Sequence, residues 1–186
     1  MDSHADKSRR VLDSKPVAPS MFAHFVLRTS NRSALIDWYC TVLNARLMYE
    51  NDYIAFITYD DEHHRVAFVQ APGLQKPGNE HWGLSHVAYT FRNLGELLST
   101  YRRLKARGIV PGRVINHGMS ASMYYRDPDG NAVELQVDTF PTKREGAAYM
   151  QNRAFMENPI GVEFDPEKMV ADYEAGVPEE ELLRRP

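Results

Sequence analysis

Three side chains in this sequence have the types and surroundings that suit a metal ion. His24 and His86 lie in the short apolar runs FAHFVL and GLSHVAY, and Glu134 lies in a third run, NAVELQV. Two imidazoles and one carboxylate form a facial triad, and such a set with open coordination positions suits non-haem Fe(II), while Mn(II) and Zn(II) remain compatible by affinity. A single histidine in an apolar strand is more often a buried structural residue than a ligand. The choice between a metal ligand and a buried structural residue therefore depends on the helices and strands that carry these side chains.

Residues 21–71 predict a strand, a helix and three further strands. The run MFAHFVL is rich in strand formers, and Ser30 and Asn31 offer a cap for the helix that follows. Apolar residues at helical spacing run from Leu35 to Val42, and Asn44 is a suitable left-handed terminator. Three strand-like runs follow at residues 46–50, 53–59 and 65–70. This order is a βαβββ unit.

The same order returns after a linker, residues 72–83, that is rich in proline and glycine. Residues 84–138 predict a strand, a helix capped by Asn93 and ended by Gly108, and strands at 113–116, 122–126 and 132–137. An offset of 62 residues superimposes His24 on His86, and in the last strand our alignment pairs Phe68 with Glu134. The histidine is therefore repeated, whereas the carboxylate is not.

This internal repeat predicts an α+β fold in which two paired βαβββ modules form an open, barrel-like mixed sheet with helices outside. We expect one domain over residues 21–138, preceded by an N-terminal arm at 1–20 and followed by a tail at 139–186 that wraps the surface. If the halves pack as pseudo-symmetric modules, His24, His86 and Glu134 converge on a single site in the cleft. The tail matches neither repeat, and an amphipathic helix is predicted near residues 167–173.

Residues 123–137 predict the β-hairpin that carries Glu134. Asp127, Pro128 and Gly130 supply a well-specified turn. Period-two alternation in the returning strand places Glu134 on the face opposite Val133 and Leu135. From this stretch alone, a solvated glutamate on the polar face of an amphipathic strand is the simpler interpretation; the repeated histidines favour a ligand.

Composition excludes several classes of partner. Lys+Arg number 22 and Asp+Glu number 25, for a formal net charge of -3 without a basic run, so the sequence predicts no nucleic acid and no acidic membrane as a partner. Cys40 is the single cysteine, which precludes an internal disulfide. No apolar run is long enough for a membrane span, and the N-terminal residues lack the apolar stretch of a secretory signal, so we expect a cytoplasmic location.

These motifs resemble the vicinal oxygen chelate superfamily, which is built from paired βαβββ modules, and within it the small one-domain type I extradiol ring-cleaving dioxygenases. The resemblance spans residues 22–137, and its carriers are FAHFVL, DDEHHRVAF, GLSHVAY, SMYYRDPDGN and NAVELQ. The DPDGN turn with its downstream glutamate marks the superfamily, whereas the histidine pair in DDEHHRVAF is typical of the extradiol branch. Glyoxalase-like members need acidic ligands from both halves, and the apolar Phe68 sets this sequence apart from them.

The resemblance implies an Fe(II) site formed by His24, His86 and Glu134, a small aromatic diol and dioxygen as partners, and a ring-opened product. It further implies that His64 is the acid-base histidine, although histidines in such a polar cluster are usually exposed loop residues. Tyr124, ten residues before Glu134, matches a family tyrosine that offers its hydroxyl to the diol, and His117 corresponds to a histidine that lines the pocket. We expect Tyr125 to pack in the core and His63 to be structural.

Two other functions remain open at this stage. A metal-free protein of the same fold would sequester an aromatic or drug-like ligand, with the histidines merely filling its pocket. An isomerase or lyase would use a different divalent ion without dioxygen. The sequence is compatible with a homo-oligomer.

Overall fold

The computed structural model of the chain describes residues 16–75 and 82–185. The first half contains β1 (Phe25–Thr29), α1 (Arg32–Leu43), β2 (Arg46–Glu50), β3 (Ile54–Thr58) and β4 (Val66–Gln70). The second half contains β5 (His86–Phe91), α2 (Leu94–Lys105), β6 (Arg113–Asn116), β7 (Ser120–Arg126) and β8 (Ala132–Asp138). The tail contains α3 (Lys143–Tyr149), α4 (Arg153–Glu157), β9 (Val162–Glu163), α5 (Pro166–Glu174) and α6 (Glu179–Leu182). Residues 1–15 of the expected arm and 76–81 of the expected linker lie outside the described residues.

The predicted repeat is confirmed by the strand topology. The first half forms a sheet in the order β1-β4-β3-β2, and the second half forms a sheet in the equivalent order β5-β8-β7-β6, to which the tail adds β9. In each sheet the first and last strands of the module pair in parallel, and the other pairs are antiparallel. The described strands thus form two open mixed sheets rather than a closed barrel, with α1 and α2 packed on them.

The register corrects one detail of the sequence alignment. Val26 lies opposite Ala67 in the first sheet, and Ala88, its counterpart in the repeat, lies opposite Glu134 in the second. Ala67 is therefore the structural equivalent of Glu134, and the predicted pairing with Phe68 was wrong by one residue. A shift of one residue moves a side chain to the other face of a strand. Phe68 is accordingly fully buried in the core, and Ala67 leaves the first half without a carboxylate at this position.

The end of α1 and the beginning of α2 follow the predicted signals. Asn44 adopts the left-handed conformation at φ 51 and its amide bonds back to the Cys40 carbonyl, which ends α1 as a terminating asparagine does. The Asn93 side chain accepts from the amide of Glu96 at 2.9 Å. The Glu96 carboxylate in turn accepts a hydrogen bond from the main-chain amide of Arg92, one residue before the cap. Both helices therefore begin or end where the local residues dictate.

The two halves are joined through the hairpin turn. The Tyr39 hydroxyl of α1 donates to the Asp127 carboxylate at 3.2 Å, and both side chains are buried. The same carboxylate accepts from the main chain and the side-chain amide of Asn131, each at 2.8 Å. Burying a carboxylate is costly unless its oxygens are hydrogen-bonded, so Asp127 ties the turn that precedes β8 to the first helix. That contact helps position the strand bearing Glu134.

Candidate active site

His86 and Glu134 form a close pair on neighbouring strands of the second sheet. His86, Ala88 and Glu134 share one face because side chains alternate along a strand and Ala88 lies opposite Glu134. The Nε2 atom of His86 is 3.0 Å from Oε2 of Glu134. Glu134 is only 5% exposed, whereas His86 is partly open to solvent. A buried carboxylate is thus held against an accessible imidazole.

Tyr124 and His117 extend this cluster along the same face. Tyr124 lies directly opposite Glu134 in the β7–β8 pairing, and its ring meets that of His86 edge to face at 5.5 Å. The Tyr124 hydroxyl is 2.8 Å from Nε2 of His117, which lies in the turn between β6 and β7. Burial and then the charge of Glu134 raise the pKa of Tyr124 to about 12. The hydroxyl therefore stays protonated near neutral pH.

His24 and His64 form a second cluster, on the first half. His24 immediately precedes β1, and its ring centroid is 4.2 Å from that of His64. His64 also stacks on Phe56 at 4.6 Å. Burial lowers the pKa of His64, and the neighbouring His24 and His63 lower it further. A neutral imidazole that accepts a proton is thereby favoured near neutral pH.

The side chains of His63 and His64 point to the same side of the chain. In an extended segment, neighbouring side chains would point to opposite sides. Residues 59–63 form a series of bends, so the two imidazole rings lie side by side at 4.5 Å. Their Nδ1 atoms are 2.5 Å apart. The His63 side chain is nevertheless 72% exposed, and its Nε2 atom lies 3.1 Å from Oε1 of Glu62.

Arg65 ties the segment before β1 to the loop that carries His64, a contact that the sequence analysis missed. Its guanidinium donates to the main-chain oxygens of Phe22 and Ala23 at 2.7 and 3.0 Å. It also holds the Asp60 carboxylate at 2.9 to 3.1 Å. These bonds fix the chain on both sides of the His24–His64 contact. An arginine directly after two histidines was the available signal, but its partners are set by the parallel pairing of β1 and β4.

The two clusters differ in how well they suit a metal ion. Octahedral bonds of about 2.1 Å at right angles put neighbouring donor atoms about 3.0 Å apart, and His86 and Glu134 match that separation. Within residues 16–75 and 82–185, no group of three or more His, Cys, Asp or Glu side chains lies close enough to hold a metal. His86 and Glu134 are thus brought together, whereas the addition of His24 to complete the triad stays a prediction.

Comparisons with known proteins relate the chain to one superfamily. Residues 21–135 match the family model described as the Glyoxalase/Bleomycin resistance protein/Dioxygenase superfamily. The chain is 50% identical to Biphenyl-2,3-diol 1,2-dioxygenase 2 of Rhodococcus globerulus over 87% of this chain and 85% of that protein. It is 46% identical to Biphenyl-2,3-diol 1,2-dioxygenase 3 of the same organism over 88% and 87% of the two chains.

Solved structures agree on the fold. A lactoylglutathione lyase from Agrobacterium tumefaciens superimposes with a TM-score of 0.52 at 20% identity, covering 64% of this chain and 94% of that one. At this identity the likeness concerns the fold alone.

None of the helices in the described ranges has the length and apolar character needed to span a bilayer.

Proposed function

The chain belongs to the glyoxalase/bleomycin resistance protein/dioxygenase superfamily, and we propose that it is an extradiol ring-cleaving dioxygenase acting on a catechol-type aromatic diol. The observation that carries the proposal is the similarity, over most of both chains, to two biphenyl-2,3-diol 1,2-dioxygenases. A 1,2-dioxygenase of a 2,3-diol opens the ring beside the two hydroxyl-bearing carbons rather than between them. The substrate we propose is therefore a bicyclic catechol of the biphenyl-2,3-diol type.

The proposed cofactor is Fe(II), held by His24, His86 and Glu134, with Mn(II) as the alternative. Support comes from the donor types and from the separation of 3.0 Å between the donor atoms of His86 and Glu134. Bound Fe(II) would supply the redox chemistry that dioxygen requires and two positions for the hydroxyl oxygens of the diol. Ala67 in place of a second carboxylate supports a set of two histidines and one glutamate over a set with acidic residues from both halves.

The other site residues would manage protons. We assign to His64 the acid-base role, because its lowered pKa favours the neutral, proton-accepting imidazole. It would take a proton from one hydroxyl of the diol and return it to the product. Tyr124, protonated near neutral pH, and His117 would orient the diol from the second half. The partly open face around His86 would admit the substrate.

Oxygen uptake with a panel of monocyclic and bicyclic catechols tests the proposal. Protein purified without oxygen should contain iron, consume one dioxygen per diol and form a yellow ring-opened product, with biphenyl-2,3-diol among the best substrates. A protein that binds the diol equally well after metal chelation, and consumes no dioxygen with any catechol, would instead be a binding protein. Turnover of a substrate without oxygen uptake would indicate an isomerase or lyase.

A further inference from the structure

The C-terminal tail lies against the turn that carries His117. Strand β9 extends the second sheet, with Val162 opposite Asn116. The buried Asn116 side chain donates to the main-chain oxygen of Leu183 at 2.9 Å. Arg185 reaches back to the same turn, since its guanidinium donates to the main-chain oxygens of Asn158 at 2.7 Å and of His117 at 3.4 Å. Two separate parts of the tail therefore hold this turn.

A tight turn at residues 158–161 presents one carbonyl group to His117. Asn158 and Gly161 exchange two hydrogen bonds of 2.9 Å between the Asn158 side chain and the Gly161 main chain. Gly161 has φ +110, and a Cβ atom there would lie 2.3 Å from the main-chain oxygen of Asn116. Only glycine fits such a conformation and such a contact. The turn is thereby pressed onto the main chain beside His117, and its Ile160 oxygen lies 2.5 Å from Nδ1 of His117.

This contact selects one tautomer of His117. A carbonyl oxygen can only accept a hydrogen bond, so Nδ1 must carry the proton. In the neutral ring Nε2 is then an acceptor, and the group it faces at 2.8 Å is the Tyr124 hydroxyl. The Tyr124 hydroxyl also lies within hydrogen-bonding reach of the Glu134 carboxylate, which can only accept, and of the Ser122 hydroxyl, which can donate to it. Nε2 of His117 therefore competes with Glu134 for the Tyr124 proton. With the other tautomer, Nε2 would be a donor and the proton would turn to the carboxylate.

We propose that the C-terminal tail, through the Ile160 carbonyl held by Gly161 and Arg185, locks His117 as its Nδ1–H tautomer and so directs the Tyr124 hydroxyl proton to His117. The oxygen of Tyr124 is then left as a hydrogen-bond acceptor on the face that carries His86 and Glu134. On the proposed function, which this inference rests on, that acceptor receives a hydroxyl of the diol. Gly161 and Arg185 are positioning residues, because they act through His117 and contact no reacting group.

Nuclear magnetic resonance of the full chain tests the tautomer directly. Long-range proton–nitrogen correlation of protein labelled with 15N-histidine, prepared without iron, distinguishes an Nδ1–H from an Nε2–H imidazole, and His117→Gln identifies the signals of His117. The wild type should show Nδ1–H as the major form near neutral pH. Arg185→Gln and Gly161→Ala should raise the share of the Nε2–H form. Arg184→Gln is the matched control, because this neighbouring arginine is exposed, and it should leave the signals of His117 unchanged.

Kinetics then measures the consequence. Arg185→Gln, the milder of the two changes, should lower kcat/KM for the diol about tenfold, the effect of one misplaced hydrogen bond, while Arg184→Gln should match the wild type. A wild-type His117 that is mainly Nε2–H would overturn the proposal, and so would variants that keep both the wild-type His117 signals and the wild-type kcat/KM. The tautomer is observed without substrate or turnover. Absence of ring cleavage would therefore count against the proposed function and not against this inference.

Discussion

Replacing His64 with phenylalanine separates acid-base chemistry from packing and from metal binding. The phenyl ring can keep the contacts that the imidazole makes with Phe56 at 4.6 Å and with His24 at 4.2 Å. A swap of similar volume changes the free energy of unfolding by less than about 1.5 kcal/mol. Loss of one acid-base group typically lowers the rate about 10²- to 10⁴-fold, which corresponds to about 2.7 to 5.5 kcal/mol in the activation free energy.

We therefore expect His64→Phe to lower kcat and kcat/KM for the diol together, since an interaction made mainly in the transition state has been removed. Iron content and the thermal midpoint of unfolding should stay close to those of the wild type. Formation of the yellow product and oxygen uptake are the assays for rate, and elemental analysis measures iron. His63→Phe is the matched control. The His63 side chain is 72% exposed, and losing its contacts with His64 and Glu62 should lower the rate less than about tenfold.

The pH profile provides a second check on the same residue. Burial, with His24 and His63, lowers the pKa of His64 from its ordinary 6.5. A base with a lowered pKa stays neutral to a lower pH. The decline of kcat/KM on the acid side of the profile should therefore have its midpoint below pH 6.5. That decline should be absent from His64→Phe. The acid-base assignment would have to be abandoned if the variant stripped the iron, or if both histidine variants cleaved the ring at the wild-type rate.

Three further outcomes follow from single contacts. Glu134→Ala should abolish iron retention and oxygen uptake while the chain stays folded, as measured by elemental analysis and circular dichroism; iron bound as tightly as in the wild type would contradict the ligand assignment. Hydrogen bonds with Arg65 lower the pKa of the Asp60 carboxyl. Asp60→Asn removes this charged carboxylate and should therefore lower the thermal midpoint of unfolding near pH 7. The difference in thermal midpoint between this variant and the wild type should vanish as the pH falls through 3.8 and below, where the wild-type carboxyl becomes protonated. A difference that does not change with pH would exclude this cause. Tyr39→Phe removes a buried hydrogen bond to Asp127 and should cost about 1 to 3 kcal/mol in denaturant unfolding; an unchanged midpoint would show that the bond contributes nothing.

Local patterns in the sequence determined most of the fold. The turn residues Asp127, Pro128 and Gly130 predicted the hairpin, and β7 and β8 pair antiparallel on either side of them. The left-handed Asn44 and the cap at Asn93 ended and began their helices where predicted. The repeat predicted two modules of one topology, which the sheets have. These features depend on neighbours within a few residues, whose steric and hydrogen-bonding preferences are present in any short segment of chain.

The tertiary structure alone decided the features that depend on distant segments. The pairing of β1 with β4 is parallel and joins residues about 40 positions apart. No local signal in the sequence therefore indicated that Ala67, and not Phe68, is the equivalent of Glu134 in the first half. The bends before His64 place its ring beside the ring of His63, whereas an extended segment would place the two rings on opposite sides of the chain. The contact of Ile160 with His117 spans 43 positions and runs through a main-chain oxygen, which every residue carries and no side-chain pattern marks.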